Sequence, residues 1–229
     1  YADGTMGLPV HEEFLGKFAE LLRLDGSGTV IDKVRLTSGR SCLQPVVMVQ
    51  DANRALVLMR YAGGTRPKRV IRTSTDNGGL SWTPPVKSLL ANSDAALTGM
   101  VLPDGRMLVA LNDNEHLRQT LSLVVSSDGG STWKTARKVE DQSAAESQGL
   151  DESNYSAAIE RLAQATDGAV TDAGSYSASV KKVMFSKQGY YFEFSYPSLI
   201  RTNRGDFHLV YTWNEAFIKH VQFSQAWLD

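Results

Sequence analysis

The sequence predicts an all-β fold, a β-propeller holding about four blades and one partly helical insertion. Three observations carry that expectation. Short aliphatic strands dominate the chain, the same strand order returns at a spacing near 51 residues, and two glycine-rich turns each end on a tryptophan. A repeat of that length with three or four strands in each unit is the signature of propeller blades.

The first copy, residues 1–38, is degraded and centres on "LPVHEEFLGKFAELLRLDGSG". The second, 39–87, reads "LQPVVMVQ", "RALVLMRY" and "KRVIRTS", runs rich in β-branched or aliphatic residues and bounded by Asp, Asn or Gly. It closes on "TDNGGLSW", Thr75 to Trp82. The third, 88–140, repeats the order as "LTGMVLPDG", "RMLVALND" and "TLSLVVSSDGG", and closes on "SSDGGSTW", Ser126 to Trp133. The two tryptophans lie 51 residues apart, and the strand-opening Arg54 and Arg106 lie 52 apart. A fourth copy, 187–229, contains "YPSLIRTNRGDFHLVYTW", in which Asp206 follows Tyr196 by 10 residues as Arg54 follows Gln44.

In "SSDGGSTW" the Ser and Asp side chains can bond turn amides and the glycines permit positive φ, while Trp133 caps the blade. Asn77 holds the aspartate position of the earlier turn. Both turns therefore read as fold staples, remote from any chemistry. Residues 141–186 interrupt the repeats. There "ESNYSAAIERLAQA" spaces Tyr155, Ile159 and Leu162 as one amphipathic helix, and its surroundings are small and polar. A surface insertion is expected, not a second domain. Four blades of this width seldom close a ring, and the chain begins at Tyr1. The expectation is the C-terminal part of a six-bladed ring whose first blades lie upstream, with a partner chain filling the gap as the alternative.

Composition excludes several classes. Lys plus Arg number 24 against 25 Asp plus Glu, so no basic excess points to nucleic acid or to membrane contact. The single cysteine, Cys42, excludes an internal disulfide and any thiolate zinc site. No oxygen-ligand run resembles a calcium loop, and no cofactor is implied. No apolar run approaches membrane-spanning length.

The S-x-D-x-G-x-T-W turns at blade spacing resemble the Asp-box, or BNR-repeat, sialidases and their neuraminidase-like relatives. Further spacings support the resemblance. "QPVV" opens a strand at Gln44 and "LMR" ends the next at Arg60, sixteen residues on; Arg118 precedes the Asp-box Ser126 by eight. "YPSL" at Tyr196 leads into a strand ending "LVYT". The resemblance implies a six-bladed sialidase-type propeller, with Arg60 and Arg118 as two members of an arginine triad and Tyr196 as nucleophile. Gln44 stands at the position of the catalytic base, and the third arginine and the acid aspartate fall upstream of the chain. The implied chemistry is coherent. Guanidinium groups make bidentate bonds to a substrate carboxylate, and a neutral phenol avoids repulsion by it.

Two departures weigh against catalysis. Gln44 cannot take a proton, and Thr212 replaces the glutamate that would steady the missing arginine. Glu12 or Glu13 could supply a carboxylate from the preceding blade, while His11 reads as a strand histidine with a satisfied hydrogen bond. "TRPKR", Thr65 to Arg69, reads as a solvated cationic loop, and Arg201 and Arg204 as turn charges. Three functions stay open: a sialidase-like glycoside hydrolase acting on sialic acid or a related acidic sugar, a propeller that binds an acidic glycan without cleaving it, and an interaction scaffold with no sugar site. By resemblance the protein is secreted, periplasmic or surface-attached. Exposed blade edges would favour self-association.

Overall fold

The computed structural model describes residues 1, 3–142, 151–186 and 192–229. The fold class expected from the sequence is what it shows. Among the described residues fourteen strands form four antiparallel sheets, each a simple meander in chain order. The first holds β1 (Met6–Glu12), β2 (Phe18–Leu24) and β3 (Val30–Arg35). The second holds β4 (Cys42–Val49), β5 (Ala55–Tyr61), β6 (Arg69–Thr75) and β7 (Val86–Ala91). The third holds β8 (Thr98–Val101), β9 (Met107–Leu111), β10 (Thr120–Ser126) and β11 (Lys134–Asp141). The fourth holds β12 (Phe194–Arg201), β13 (Phe207–Trp213) and β14 (Phe217–Phe223), followed by the short helix α3 (Gln225–Leu228).

The middle strands explain why the sheets stack face to face. Side chains alternate across a strand, so a strand apolar at every position must be covered on both faces. In β5, Leu56 and Leu58 join a core shared with the third sheet, whereas Val57, Met59 and Tyr61 join a core shared with the first. In β9, Met107, Val109 and Leu111 face the second sheet, and Leu108 and Ala110 face the fourth. Three cores thus lie between four successive sheets, which is blade packing. The end sheets keep one face each uncovered by another described sheet: Met6, Leu8, Val30 and Ile31 on the first, and Ile200, Val210 and Ile218 on the last, are exposed.

The insertion differs from its expected form. Helix α1 (Glu152–Gln164) falls on the predicted segment, and Asp151 caps its first turn by accepting from the Asn154 amide. A second helix, α2 (Ala173–Ser186), occupies part of the small, polar surroundings, where one helix alone was expected. Tyr155, Ile159 and Val180 enter the core between the third and fourth sheets, and the Tyr176 hydroxyl donates to the Ala216 carbonyl. Burial against the blades, not intrinsic propensity, makes these helices.

The two staple turns are built alike. Asp128 accepts the amides of Ser131 (3.0 Å) and Thr132 (2.9 Å) and the hydroxyls of Ser126 (2.8 Å) and Thr132 (2.6 Å). Asn77 does the same work for Ser81 and Thr75. Gly130, at φ +84°, has no room for a side chain, because a Cβ would strike Leu56 of the neighbouring blade. Hydrogen bonds from Thr132, first its hydroxyl and then its amide, hold the Asp128 carboxyl down to about 2. A depressed carboxyl contributes stability above its ordinary range and loses it as pH falls through the folded value. Thermal melts are therefore expected to show an Asp128→Ala deficit of a few degrees at pH 7 that shrinks between about pH 4 and pH 2. A deficit independent of pH would contradict this.

Candidate functional site

The meanders give every sheet two ends. The two staple turns join β6 to β7 and β10 to β11 at one end. Arg60, one residue before the end of β5, and Arg118, just before β10, lie at the other. The innermost strands β4 and β12 share a local design there. Gln44 and Tyr196 each adopt positive φ (51° and 52°), and each is followed by proline. The ladder skips from Leu43 to Val46 in β4 and from Ser195 to Ser198 in β12. A proline has no N–H to give, and an innermost strand has a free edge, so proline is tolerated there. Positive φ in a non-glycine residue ahead of proline is unfavourable on both counts. Such outliers persist where surrounding structure holds them, often at sites of function.

Both arginines are fixed by partners distant along the chain. Arg60 donates through Nε to Asp94 Oδ1 (2.6 Å) and through Nη1 to Gln44 Oε1 (3.2 Å). Arg118 donates through Nη1 to Glu193 Oε1 (3.1 Å) and Ser195 Oγ (3.0 Å), and through Nη2 to the Asp94 carbonyl (2.7 Å). Its guanidinium carbon stands 5.9 Å from the centre of the Tyr196 ring. Asp94 therefore links the two guanidiniums, one through its carboxylate and one through its backbone. It is itself turned to φ +62°, and its amide is held by Asn92 Oδ1 at 3.1 Å. The geometry brings Gln44, Arg60, Arg118 and Tyr196 into one neighbourhood.

A cavity of about 320 Å³ opens beside them, lined by Pro9 and His11 of the first sheet, Gln44, Pro45 and Val46 of the second, Ala96 and Leu97 ahead of the third, and Tyr196 and Pro197 of the fourth; Gln44 and Tyr196 line it, whereas Arg60 and Arg118 do not. That is within the size range of small-molecule pockets. All four sheets contribute to it. His11, read from sequence as a strand histidine, is exposed toward this space. Glu12 is engaged elsewhere: its carboxylate accepts the amides of Phe14, Leu15 and Gly16, and these bonds, that of Leu15 foremost, lower its pKa. Thr212 donates to the Ser195 carbonyl (3.0 Å), bracing the chain beside Tyr196. A more apolar cavity of about 370 Å³ lies at the opposite end between the first two sheets, and none of the four candidate side chains lines it.

Sequence reasoning missed Asp94, Glu193 and Asn92. The signal available was faint: "NSD" ahead of the third copy and "FEFSYP" around Tyr196. The pattern of strands cannot reveal that a carboxylate meets an arginine 34 or 75 residues away. Among the described residues no group of three His, Cys, Asp or Glu side chains is placed to hold a metal ion.

Comparison with known proteins fits this architecture. The sequence matches the BNR repeat-like domain over residues 1–209, and the chain belongs to that family. No curated protein matches it. Among solved structures it is similar to the NanB sialidase of Streptococcus pneumoniae in complex with 2-[(3-chlorobenzyl)ammonio]ethanesulfonate, at TM-score 0.59 and 8% identity over 97% of this chain and 31% of that one. It is also similar to the leech intramolecular trans-sialidase complexed with 2,7-anhydro-Neu5Ac, at 0.59 and 10% over 98% and 30%. A third is the exo-β-1,3-galactanase of Phanerochaete chrysosporium with β-1,3-galactotriose, at 0.55 and 9% over 98% and 45%. The fold is thus the β-propeller found in sialidases and other glycoside hydrolases. The chain spans about a third of the length of the two sialidase-type structures.

Two stability measurements test the geometry. Arg118→Ala strands the Glu193 carboxylate, whose side chain is only 11% exposed, and is expected to cost about 3 kcal/mol, with Glu193→Gln recovering part of it in the double variant. Tyr196 is 53% exposed, so Tyr196→Gly should remove backbone strain and leave stability equal or up to about 1 kcal/mol higher. A loss of several kcal/mol would mark Tyr196 as a packing residue instead.

Proposed function

We propose that the protein is a sialidase-like glycoside hydrolase acting on sialic acid or a related acidic sugar, with its sugar site at the cavity where the four sheets meet. The observation that carries this reading is the joining of Arg60 and Arg118 through Asp94, beside Tyr196 and Gln44. Guanidiniums held rigid before a ligand arrives bind a carboxylate with less ordering cost. In this reading Arg60 and Arg118 take the sugar carboxylate and the Tyr196 oxygen attacks the anomeric carbon. Gln44 cannot accept the phenolic proton, and its Oε1 already accepts from Arg60. His11 has the basic ring nitrogen in the cavity lining and is assigned that role. The acid that protonates the leaving oxygen and a third arginine are assigned to blades outside this chain.

A second reading is a propeller that binds an acidic glycan without cleaving it. The Gln44–Arg60 bond favours it, because an amide there serves binding as well as a carboxylate would serve catalysis.

The deciding experiment assays the full-length protein on a fluorogenic sialoside beside Tyr196→Phe. The hydrolase reading predicts turnover that falls by on the order of a hundredfold or more in the variant. Absence of turnover with sialoside binding that Arg118→Ala weakens would establish the binding reading. Neither turnover nor binding would reject both.

A further inference from the structure

The two loops that present the candidate arginines also meet each other, some residues beyond them. Residues 62–68 leave β5 just after Arg60 and Tyr61, and residues 112–119 carry Arg118 one residue before their end. At their tips Arg66 Nη1 lies 3.1 Å from His116 Nδ1, Arg69 pairs with the Glu115 carboxylate, and the Lys68 amide donates to Glu115 Oε2 at 3.2 Å. Arginine can only donate, so Nδ1 of His116 accepts and its other ring nitrogen carries the proton. Lys87 clamps the first loop from below, donating to the carbonyls of Thr65 (3.0 Å) and Pro67 (2.7 Å) over the Tyr61 ring. Asn114 Oδ1 ties down the second by accepting the amides of His116 and Leu117.

The charges do not cancel. Arg66, Lys68, Arg69 and Lys87 gather around the first loop, and the carboxylate shown against them is Glu115; Asp113, in the second loop, has its Oδ1 buried without a hydrogen-bond partner among the described residues. Arg66 is exposed, and the Lys68 ammonium makes no ion pair among the described residues. At the site below, by contrast, the two arginines are matched by Asp94 and Glu193. The rim and the site are mechanically continuous. Asn92 donates its amide to the Lys68 carbonyl (3.2 Å) while its Oδ1 accepts from Tyr61 (3.3 Å) and from Asp94 (3.1 Å). A ligand at the rim is thus one side chain removed from the group that bridges Arg60 and Arg118.

We propose that Arg66 and Lys68 form a second anion subsite, which receives the carboxylate or sulfate of a neighbouring sugar, so that the ligand is an acidic glycan with at least two charged units. This rests on the reading of the central cavity as an acidic-sugar site. Loops fixed at both tips present these cations with little ordering cost, and exposed charge attracts a polyanion in a salt-dependent manner.

The test is a calorimetric titration of the full-length protein with 3′-sialyllactose, whose extension is neutral, and with α2,8-linked disialic acid, whose extension carries a carboxylate. At low salt the wild type should bind the disialic acid about five- to tenfold more tightly than sialyllactose. Added salt should shrink that ratio, and the double variant Arg66→Ala, Lys68→Ala should bring it to about one. A ratio near one in the wild type, or one unchanged in the variant, overturns the proposal. Oligogalacturonate, a carboxylate polymer without sialic acid, separates the two readings. Binding of it that the double variant weakens, with neither sialoside bound, sinks the sialic acid site and keeps the rim; no binding of any probe sinks both.

Discussion

Everything in this molecule depends on strands that are apolar on both faces. A sheet whose middle strands carry Leu56, Val57, Leu58 and Met59 in succession cannot rest one face in water without exposing large aliphatic area, at a cost of roughly 25 cal/mol per Å². The only economical arrangement is sheet against sheet. Because sheets twist, successive face-to-face packings rotate, and three such packings bring the innermost strands of four sheets toward a common centre. The cavity shared by Pro9, Gln44, Leu97 and Tyr196 follows from that rotation.

The same constraint separates the molecule into a conservative end and a chemical end. At one end the turns are short, glycine-rich and internally hydrogen-bonded, with Asp128 and Asn77 consuming nearly every nearby donor. At the other the loops carry charged groups, and six described non-glycine residues, Lys17, Gln44, Asp94, Tyr196, Asn214 and Glu215, sit at positive φ. At Gln44 and Tyr196 this backbone strain sits where the chain leaves the ladder beside the cavity. The inserted helices also arise at this end, between β11 and β12, and pack on the last two sheets through Tyr155 and Ile159.

How far the sequence reached can be read from particular residues. The first three strands of the second and third sheets were legible because their aliphatic runs are bounded by Asn, Asp or Gly, and the staple turns because their side-chain chemistry is local; the fourth strands, β7 and β11, were not read. Helix α2 was not legible, since "AGSYSASV" forms a helix only once Tyr176 and Val180 find the blades. The nearness of Gln44 to Arg60 followed from strand pairing across one hairpin. Asp94 and Glu193 could not be foreseen, for their partners come from other sheets and their meaning lies in the angle between blades. Likewise "TRPKR" reads as a solvated loop until Glu115 and His116 of the adjoining blade are seen against it.

The central claim is that two guanidiniums, distant along the chain, are held as one anion-binding unit by Asp94. A crystal structure of the full-length protein soaked with N-acetylneuraminic acid tests it most directly. The account predicts the sugar carboxylate within hydrogen-bonding distance of both Arg60 and Arg118, with the ring against Tyr196. A sugar bound elsewhere, or a carboxylate that touches neither arginine, would contradict it.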